Sequence, residues 1–317
     1  MIERHCDVVA LGEAMLEFNQ TAAGEPNYLQ GFGGDTSNAV IAAARAGAST
    51  SYLTRLGQDA FGQALLNLWA VEGVDASAVE TTSAAPTGIY FVTHGKAGHE
   101  FSYLRAGSAA SGMTPEWLLG GPARQVIETA KILHVSGISL AISSSACNTA
   151  LAAMKLARDA GTLVSFDSNL RLKLWSLERA REYTALAISL CDIFLPSLED
   201  ITALCGLTNP DDVVNWGHAL GAKIVVLKLG AEGALVSVGE GTANRRQRIP
   251  VHAVQLVDAT GAGDCFCGNL LARMARGDSV FEAAAYANAA AALAVQGFGA
   301  VAPLPRAAAV LKQMAAA

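Results

Sequence analysis

At 317 residues, with 52% hydrophobic and 16% charged positions, the chain has ample material for a large core, and disorder is excluded. Its 22 Lys plus Arg against 28 Asp plus Glu give a net charge of −6, so the basic footprint of a nucleic-acid binder is missing. No uninterrupted apolar run of about 18 residues is present to span a membrane, and Glu3, Arg4, His5 and Asp7 leave only a few apolar positions before Glu13, too few for an export signal. The chain is expected to be cytoplasmic.

Short β-branched or apolar runs alternate with longer amphipathic ones, the pattern of a mostly parallel sheet covered by helices. Residues 7–12 read as the first strand, 36–46 as a helix and 51–56 as a strand. Residues 60–72 read as a helix, with Phe61, Leu65, Leu68 and Trp69 at helical spacing and Gly57 and Gly73 marking its flanks. Residues 88–94 and 100–104 instead alternate about Gly95-Lys96-Ala97-Gly98 and read as an antiparallel hairpin. With residues 15–33 it would form a small sheet standing off the main one. Beyond Gly107 the α/β alternation resumes, with strands at 132–136, 163–167, 192–195 and 224–229 and a helix at 146–160. An antiparallel continuation is expected at 234–238 and 248–254, then helices at 261–276, 280–295 and from 306. No fixed-period repeat or low-complexity linker appears, so residues 1–317 are expected to form one α/β domain with lid segments at about 13–34 and 86–107.

The six cysteines, Cys6, Cys147, Cys191, Cys205, Cys265 and Cys267, form no CxxC pair and no zinc-finger spacing. Cys265 and Cys267 suit small apolar positions on a helix packed against a sheet. Two glycine-rich turns carry more information. Asp258-Ala259-Thr260-Gly261-Ala262-Gly263-Asp264 follows a strand and opens a helix, so its glycines would let the backbone curl and aim N–H groups outward at the positive end of the dipole. That terminus would keep Asp264 ionised, ready to accept a proton from a hydroxyl that attacks phosphorus; a purely structural turn is the alternative. Gly31-Phe32-Gly33-Gly34-Asp35-Thr36-Ser37-Asn38 sets two adjacent glycines before a helix, with Asp35 and Asn38 as partners for hydroxyl groups. A plain helix cap by Asp35 or Thr36 is the alternative there. Neither a P-loop nor a dinucleotide-binding fingerprint is present.

Taken together and in this order, the two turns resemble the signatures of the ribokinase-like (PfkB-type) carbohydrate kinases, over nearly the full chain. The second is similar to that family's Asp-Thr-Thr-Gly-Ala-Gly-Asp, with Ala259 in place of the first Thr, and Lys228-Leu229-Gly230-Ala231-Glu232-Gly233-Ala234 resembles its strand and loop over the ATP phosphates and ribose. Gly12-Glu13-Ala14-Met15-Leu16-Glu17-Phe18, Tyr103-Leu104-Arg105-Ala106-Gly107-Ser108, Leu133-His134-Val135-Ser136-Gly137 and Phe166-Asp167-Ser168-Asn169-Leu170-Arg171 look most like the branch acting on 2-keto-3-deoxygluconate.

The resemblance implies a three-layer α/β/α sandwich with a small β lid and an ATP-dependent kinase for the terminal hydroxyl of a 2-keto-3-deoxy sugar acid. A fructokinase or other neutral-sugar kinase is the same-fold alternative, and an idle sugar or nucleoside sensor the alternative of another class. Asp264 would be the base, with the amides of Gly261, Ala262 and Gly263 over the transferring phosphate. Gly33, Gly34, Asp35, Asn38, Tyr90, Tyr103, Arg105 and Arg171 would contact the substrate. The two arginines suit an acid because a planar guanidinium can grip a carboxylate through two bonds; a solvated surface arginine is the plainer reading of each. Asn169, Ser197, Lys228, Gly230, Gly233, Gly261, Gly263, Asn288 and Ala291 would face ATP, the last two of these beside adenine. The family's Asn-x-x-Glu motif stands here as Ser197-Leu198-Glu199-Asp200, so Asp200 is expected to reach a magnesium ion through water. A monovalent-cation requirement is left open. The exposed face of a lid sheet is expected to be covered by a second copy in a homodimer. His134 reads as a core histidine, and Glu13 with Glu17 as a glycosidase pair is disfavoured because both run into the lid.

Overall fold

In the computed structural model, which describes residues 4–95, 98–239 and 245–315, the first strand divides its side chains between two cores. Val8 and Ala10 pack with helices on one face of the sheet, Val9 and Leu11 with helices on the other. A strand apolar on both sides must be covered on both. Helices Asp35–Arg45, Ala60–Glu72, Ala262–Ala275 and Val280–Ala294 cover one face, and Ser144–Asp159, Leu177–Leu190, Leu198–Cys205 and Pro210–Ala219 the other. The three-layer expectation holds.

Among the described residues the main sheet has nine strands, in the order Arg245–Ile249, Ala234–Val238, Ile224–Lys228, Ile193–Leu195, Leu163–Asp167, Ala130–Ser136, Cys6–Leu11, Thr50–Leu53, Val74–Asp75. Ala234–Val238 alone runs antiparallel to its neighbours, and the other eight strands point the same way. From Cys6–Leu11 the chain adds two strands on one side and then returns to lay Ala130–Ser136 on the other. The crevice beyond the carboxyl ends of Cys6–Leu11 and Ala130–Ser136 is thus the point of reversal, where open α/β sheets bind ligands.

Helix Ala262–Ala275 crosses helix Asp35–Arg45 at Gly268, where a Cβ would lie 2.0 Å from the Ala39 carbonyl oxygen. No side chain fits this crossing, and the close approach brings both helix N-termini to one crevice. A second sheet orders Tyr28–Gly33, Met15–Gln20, Ile89–Gly95 and Gly98–Leu104, with the middle pair parallel. The expected hairpin is present, although Lys96 and Ala97 of its turn lie outside the described residues.

Two sequence expectations change. The 51–56 run breaks at Thr54: Thr50–Leu53 joins the main sheet, while Arg55–Gly57 pairs with Glu80–Thr82. The last strand is Arg245–Ile249 rather than 248–254, because Pro250 has no N–H to continue the ladder.

Candidate active site

A cleft of about 1430 Å³ opens at the carboxyl ends of the main-sheet strands and is closed on one side by the small sheet. Gly34, Asp35, Asn38, Tyr90, Tyr103, Arg105, Asn169, Arg171, Ser197, Asp200, Lys228, Gly230, Gly261, Gly263 and Asp264 line it. Five expected residues do not. Gly33 sits behind Tyr90, whose hydroxyl would be 2.2 Å from a Cβ there. Gly233, at φ 87°, lets the hairpin pass beneath the Ile249 carbonyl, where a Cβ would clash at 2.1 Å. Asn288 is buried and donates to the carbonyls of Ile249 and Pro250 at 3.0 and 3.1 Å, tying its helix to the edge strand, and Ala291 packs against the core of the same face. The Ala262 N–H donates to Ala259 O at 3.1 Å and is therefore already engaged.

Both glycine-rich turns start helices. Gly34, at φ 110°, is the N-cap of Asp35–Arg45, and a Cβ there would fall 2.5 Å from the Glu13 carbonyl oxygen. No side chain caps this helix, so capping by Asp35 or Thr36 is not what these residues do. The Asp35 carboxylate instead accepts from Asn169 Nδ2 at 2.9 Å. In the second turn the left-handed residue is Gly261, at φ 72°, whereas Gly263 is helical and a Cβ on it would meet only Lys228 Nζ at 3.6 Å. The curl therefore belongs to Gly261, and Gly263 keeps the space beside Lys228 clear. The first-turn amides left without an intrahelical acceptor are those of Gly263 and Asp264.

Carboxylates cluster around this point. Asp264 is half-buried and accepts from Asn38 Nδ2 at 2.8 Å, while Asn38 Oδ1 is buried without a hydrogen-bond partner among the described residues. Burial pushes the Asp264 carboxyl up to about 7, the charges of Asp35 and Asp167 add to that, and the Asn38 bond and Lys228 oppose it. Against the expected stabilisation of the ionised form by the helix terminus stand desolvation and like charge, which raise this carboxyl. Asp35 is likewise raised, by burial first. Lys228 donates to Asp167 Oδ1 at 2.8 Å; burial works against its charge, and Asp167 more than reverses that, so its ammonium stays above the usual lysine range.

The two arginines differ. Arg171 is exposed on the cleft wall with Nη1 donating to Leu170 O at 2.8 Å, and among the described residues it makes no ion pair. Arg105 is buried, its Nε donating to Glu13 Oε2 at 2.8 Å, with Nη2 against the same oxygen. Tyr90 donates its hydroxyl to Glu17 Oε2 at 2.5 Å. Ser197 Oγ accepts from Asp200 N at 3.1 Å, and Ser168 Oγ donates to Asp200 Oδ2 at 2.7 Å. His134 is 2% exposed and bonded to Ser165, and burial lowers it to about 4, so it stays neutral in the core. Asp167 and Ser168 take part in the site without having been assigned a role from the sequence; their signal is a charged and a hydroxyl residue at the carboxyl end of a β-branched run.

Helices on both faces, the reversal point and the crevice between two helix N-termini make this a ribokinase-like α/β fold. The pfkB family carbohydrate kinase profile matches residues 6–307, and the chain belongs to that family. It is 32% identical over 308 residues to the 2-dehydro-3-deoxygluconokinase of Escherichia coli K12, covering 93% of this chain and 97% of the relative. It is 34% identical over 327 residues to fructokinase-1 of Oryza sativa subsp. japonica, covering 98% of each. The aminoimidazole riboside kinase from Salmonella enterica, solved with aminoimidazole riboside and an ATP analogue, superposes with a TM-score of 0.84 at 28% identity, covering 97% of this chain and 99% of that one.

Proposed function

We propose that the protein transfers the γ-phosphoryl group of ATP to the terminal hydroxyl of a 2-keto-3-deoxy sugar acid, converting 2-keto-3-deoxygluconate to its 6-phosphate. The observation that carries the substrate class is Arg171, a guanidinium on the cleft wall without an ion-pair partner among the described residues. Neutral sugars need hydroxyl partners, whereas an acid needs a cation. One observation favours a fructokinase instead: the charge of Arg105 is already met by Glu13.

In this reading Asp264 accepts the proton of the attacking hydroxyl as its oxygen bonds to the γ-phosphorus, and the bond to the β-phosphate oxygen breaks to release ADP. Asn38 orients Asp264 through its Nδ2 bond. The amides of Gly263 and Asp264 and the Lys228 ammonium face the charge on the transferring group, where fixed dipoles act without reorganising. Of the residues lining the cleft, this reading assigns Asn169, Ser197 and Gly230 to the nucleotide and Gly34, Asp35, Tyr90 and Tyr103 to the sugar. A magnesium ion, when bound, supplies charge neutralisation on the phosphates. Asp200, a hard oxygen donor on the cleft held by Ser168, fits such an ion through water, whereas the Ser197 hydroxyl is engaged in capping.

The chain acts as one domain in which the small sheet is the lid, and its closure would exclude water as a rival acceptor. Leu29 and Leu104, 67% and 59% exposed on the two edge strands of that sheet, support a homodimer formed through the lid. Six free thiols support a cytoplasmic setting.

The test is ADP release over a panel of sugar acids and neutral sugars, repeated with Arg171→Ala. Preference for 2-keto-3-deoxygluconate that collapses about tenfold or more in the variant supports the reading. A wild type that prefers fructose replaces it with the fructokinase.

A further inference from the structure

The Glu13–Arg105 pair lies where the main sheet meets the small one. Glu13 follows strand Cys6–Leu11 after a single glycine, and Arg105 directly follows strand Gly98–Leu104. Both line the cleft, yet they are only 1% and 9% exposed. Arg105 Nε donates to Glu13 Oε2 and Nη2 lies in ion-pair contact with the same oxygen, buried and without a hydrogen bond of its own, Ser108 Oγ donates to Oε1, and Gly88 lies against Oε1, where a Cβ would fall 2.8 Å away.

This arrangement has a consequence for charge. A guanidinium grips a carboxylate best through two parallel N–H groups, and the Nε/Nη2 edge of Arg105 is turned to Glu13 rather than to the cleft. Nη1 remains. A substrate carboxylate approaching it would gain one hydrogen bond while bringing a second negative charge beside Glu13. A neutral hydroxyl approaching the same atom meets no such repulsion.

We propose that Glu13 is a specificity-determining residue: by neutralising Arg105 it withholds one positive charge from the cleft and moderates selection for acids, leaving Arg171 as the cation that discriminates. The proposal rests on the cleft being the sugar site, and it deepens that reading without depending on which sugar the wild type prefers. Glu13 acts through Arg105 and is a positioning residue, not a catalytic one.

The test measures 2-keto-3-deoxygluconate and fructose, as kcat/KM and as calorimetric Kd, in wild type, Glu13→Gln, Arg105→Gln and the double variant. The quantity read is the ratio of acid to neutral preference. Glu13→Gln should raise that ratio about tenfold, the order expected for one uncompensated charge beside a cleft open to solvent. Arg105→Gln, which leaves the carboxylate alone, should lower it by a similar factor, and the double variant should return to within about threefold of wild type.

A Glu13→Gln variant that loses both activities in equal proportion would show that the pair only fastens the small sheet to the main one, overturning the proposal. A fall in the ratio would overturn it too. Removing one partner of a buried pair can be strongly destabilising, whereas replacing both is often close to neutral. If Glu13→Gln does not fold, the comparison is therefore made in the Arg105→Gln background, where adding Glu13→Gln must raise the ratio. No change there contradicts the proposal. A wild type that prefers fructose removes the sugar-acid reading, but the sign of the Glu13→Gln change still decides the role of Glu13.

Discussion

Asn38 Nδ2 donates to Asp264 Oδ2 at 2.8 Å, a bond between residues 226 positions apart that joins the first turns of two crossing helices. It stabilises the ionised carboxylate and so opposes the burial that raises Asp264 to about 7. Asn38→Ala is expected to move the carboxyl higher still. The acid limb of the kcat/KM profile, rising through about pH 7 in the wild type, should shift to higher pH in the variant. A limb that stays in place would show that the bond does not tune the base.

Asp264 also makes folding depend on pH. Its folded pKa, about 7, is raised above the ordinary value of 3.8, so the folded state binds this proton more tightly than the unfolded one. The contribution is most favourable below about pH 4 and declines as pH rises through 7, above which the ionised group is a constant penalty. Asp264→Asn removes the penalty. The variant should melt higher than wild type at pH 8, with the difference shrinking as pH falls toward 4. A variant less stable at pH 8 than wild type would mean that Asp264 is not held at a raised pKa.

Much of this arrangement is legible in the chain because local chemistry and tertiary position agree. The Gly-rich turns at Gly34 and Gly261 need left-handed backbone, and glycine is the residue that adopts it most readily. The alternation of apolar runs gives away the parallel strands, since a doubly covered sheet leaves few polar positions inside it. What stays hidden are partners set by long-range register. Nothing local says that Glu13 meets Arg105, that Asp167 meets Lys228 or that the amide of Asn288 is used on the Ile249 and Pro250 carbonyls. The break at Thr54 is hidden for the same reason, because the second half of that run takes its pairing from Glu80–Thr82.

Gly261 and Gly263 should separate fold from function. Gly261→Ala places a Cβ at φ 72° within 3.0–3.1 Å of Ala300, and the strain should lower stability by about 1–3 kcal/mol. Gly263→Ala sits in ordinary helix with a 3.6 Å contact to Lys228 Nζ. Its melting temperature should hold or rise slightly, while kcat falls at least about tenfold because the methyl group enters the space beside the first-turn amides. Thermal melts and turnover on both variants check this. Unchanged kcat in Gly263→Ala would remove that space from the phosphate path.

Asp200→Ala should raise the magnesium concentration needed for half-maximal turnover without abolishing activity. Its carboxylate is bonded to Ser168 and lies on the cleft wall, and a site that holds the ion through water weakens gradually when one acceptor is lost. A magnesium titration at fixed ATP reads the shift. Activity untouched by EDTA would exclude the metal from the reaction.

In the proposed reaction the central step is transfer of the attacking hydroxyl's proton to Asp264, and its most direct measurement is kcat of Asp264→Asn alongside calorimetric binding of ATP and sugar. Asparagine keeps the volume and removes the base. The expected kcat is at least about a hundredfold below wild type, with both dissociation constants within about threefold of wild type. A variant that retains more than about a tenth of wild-type kcat while binding both ligands normally would contradict that role.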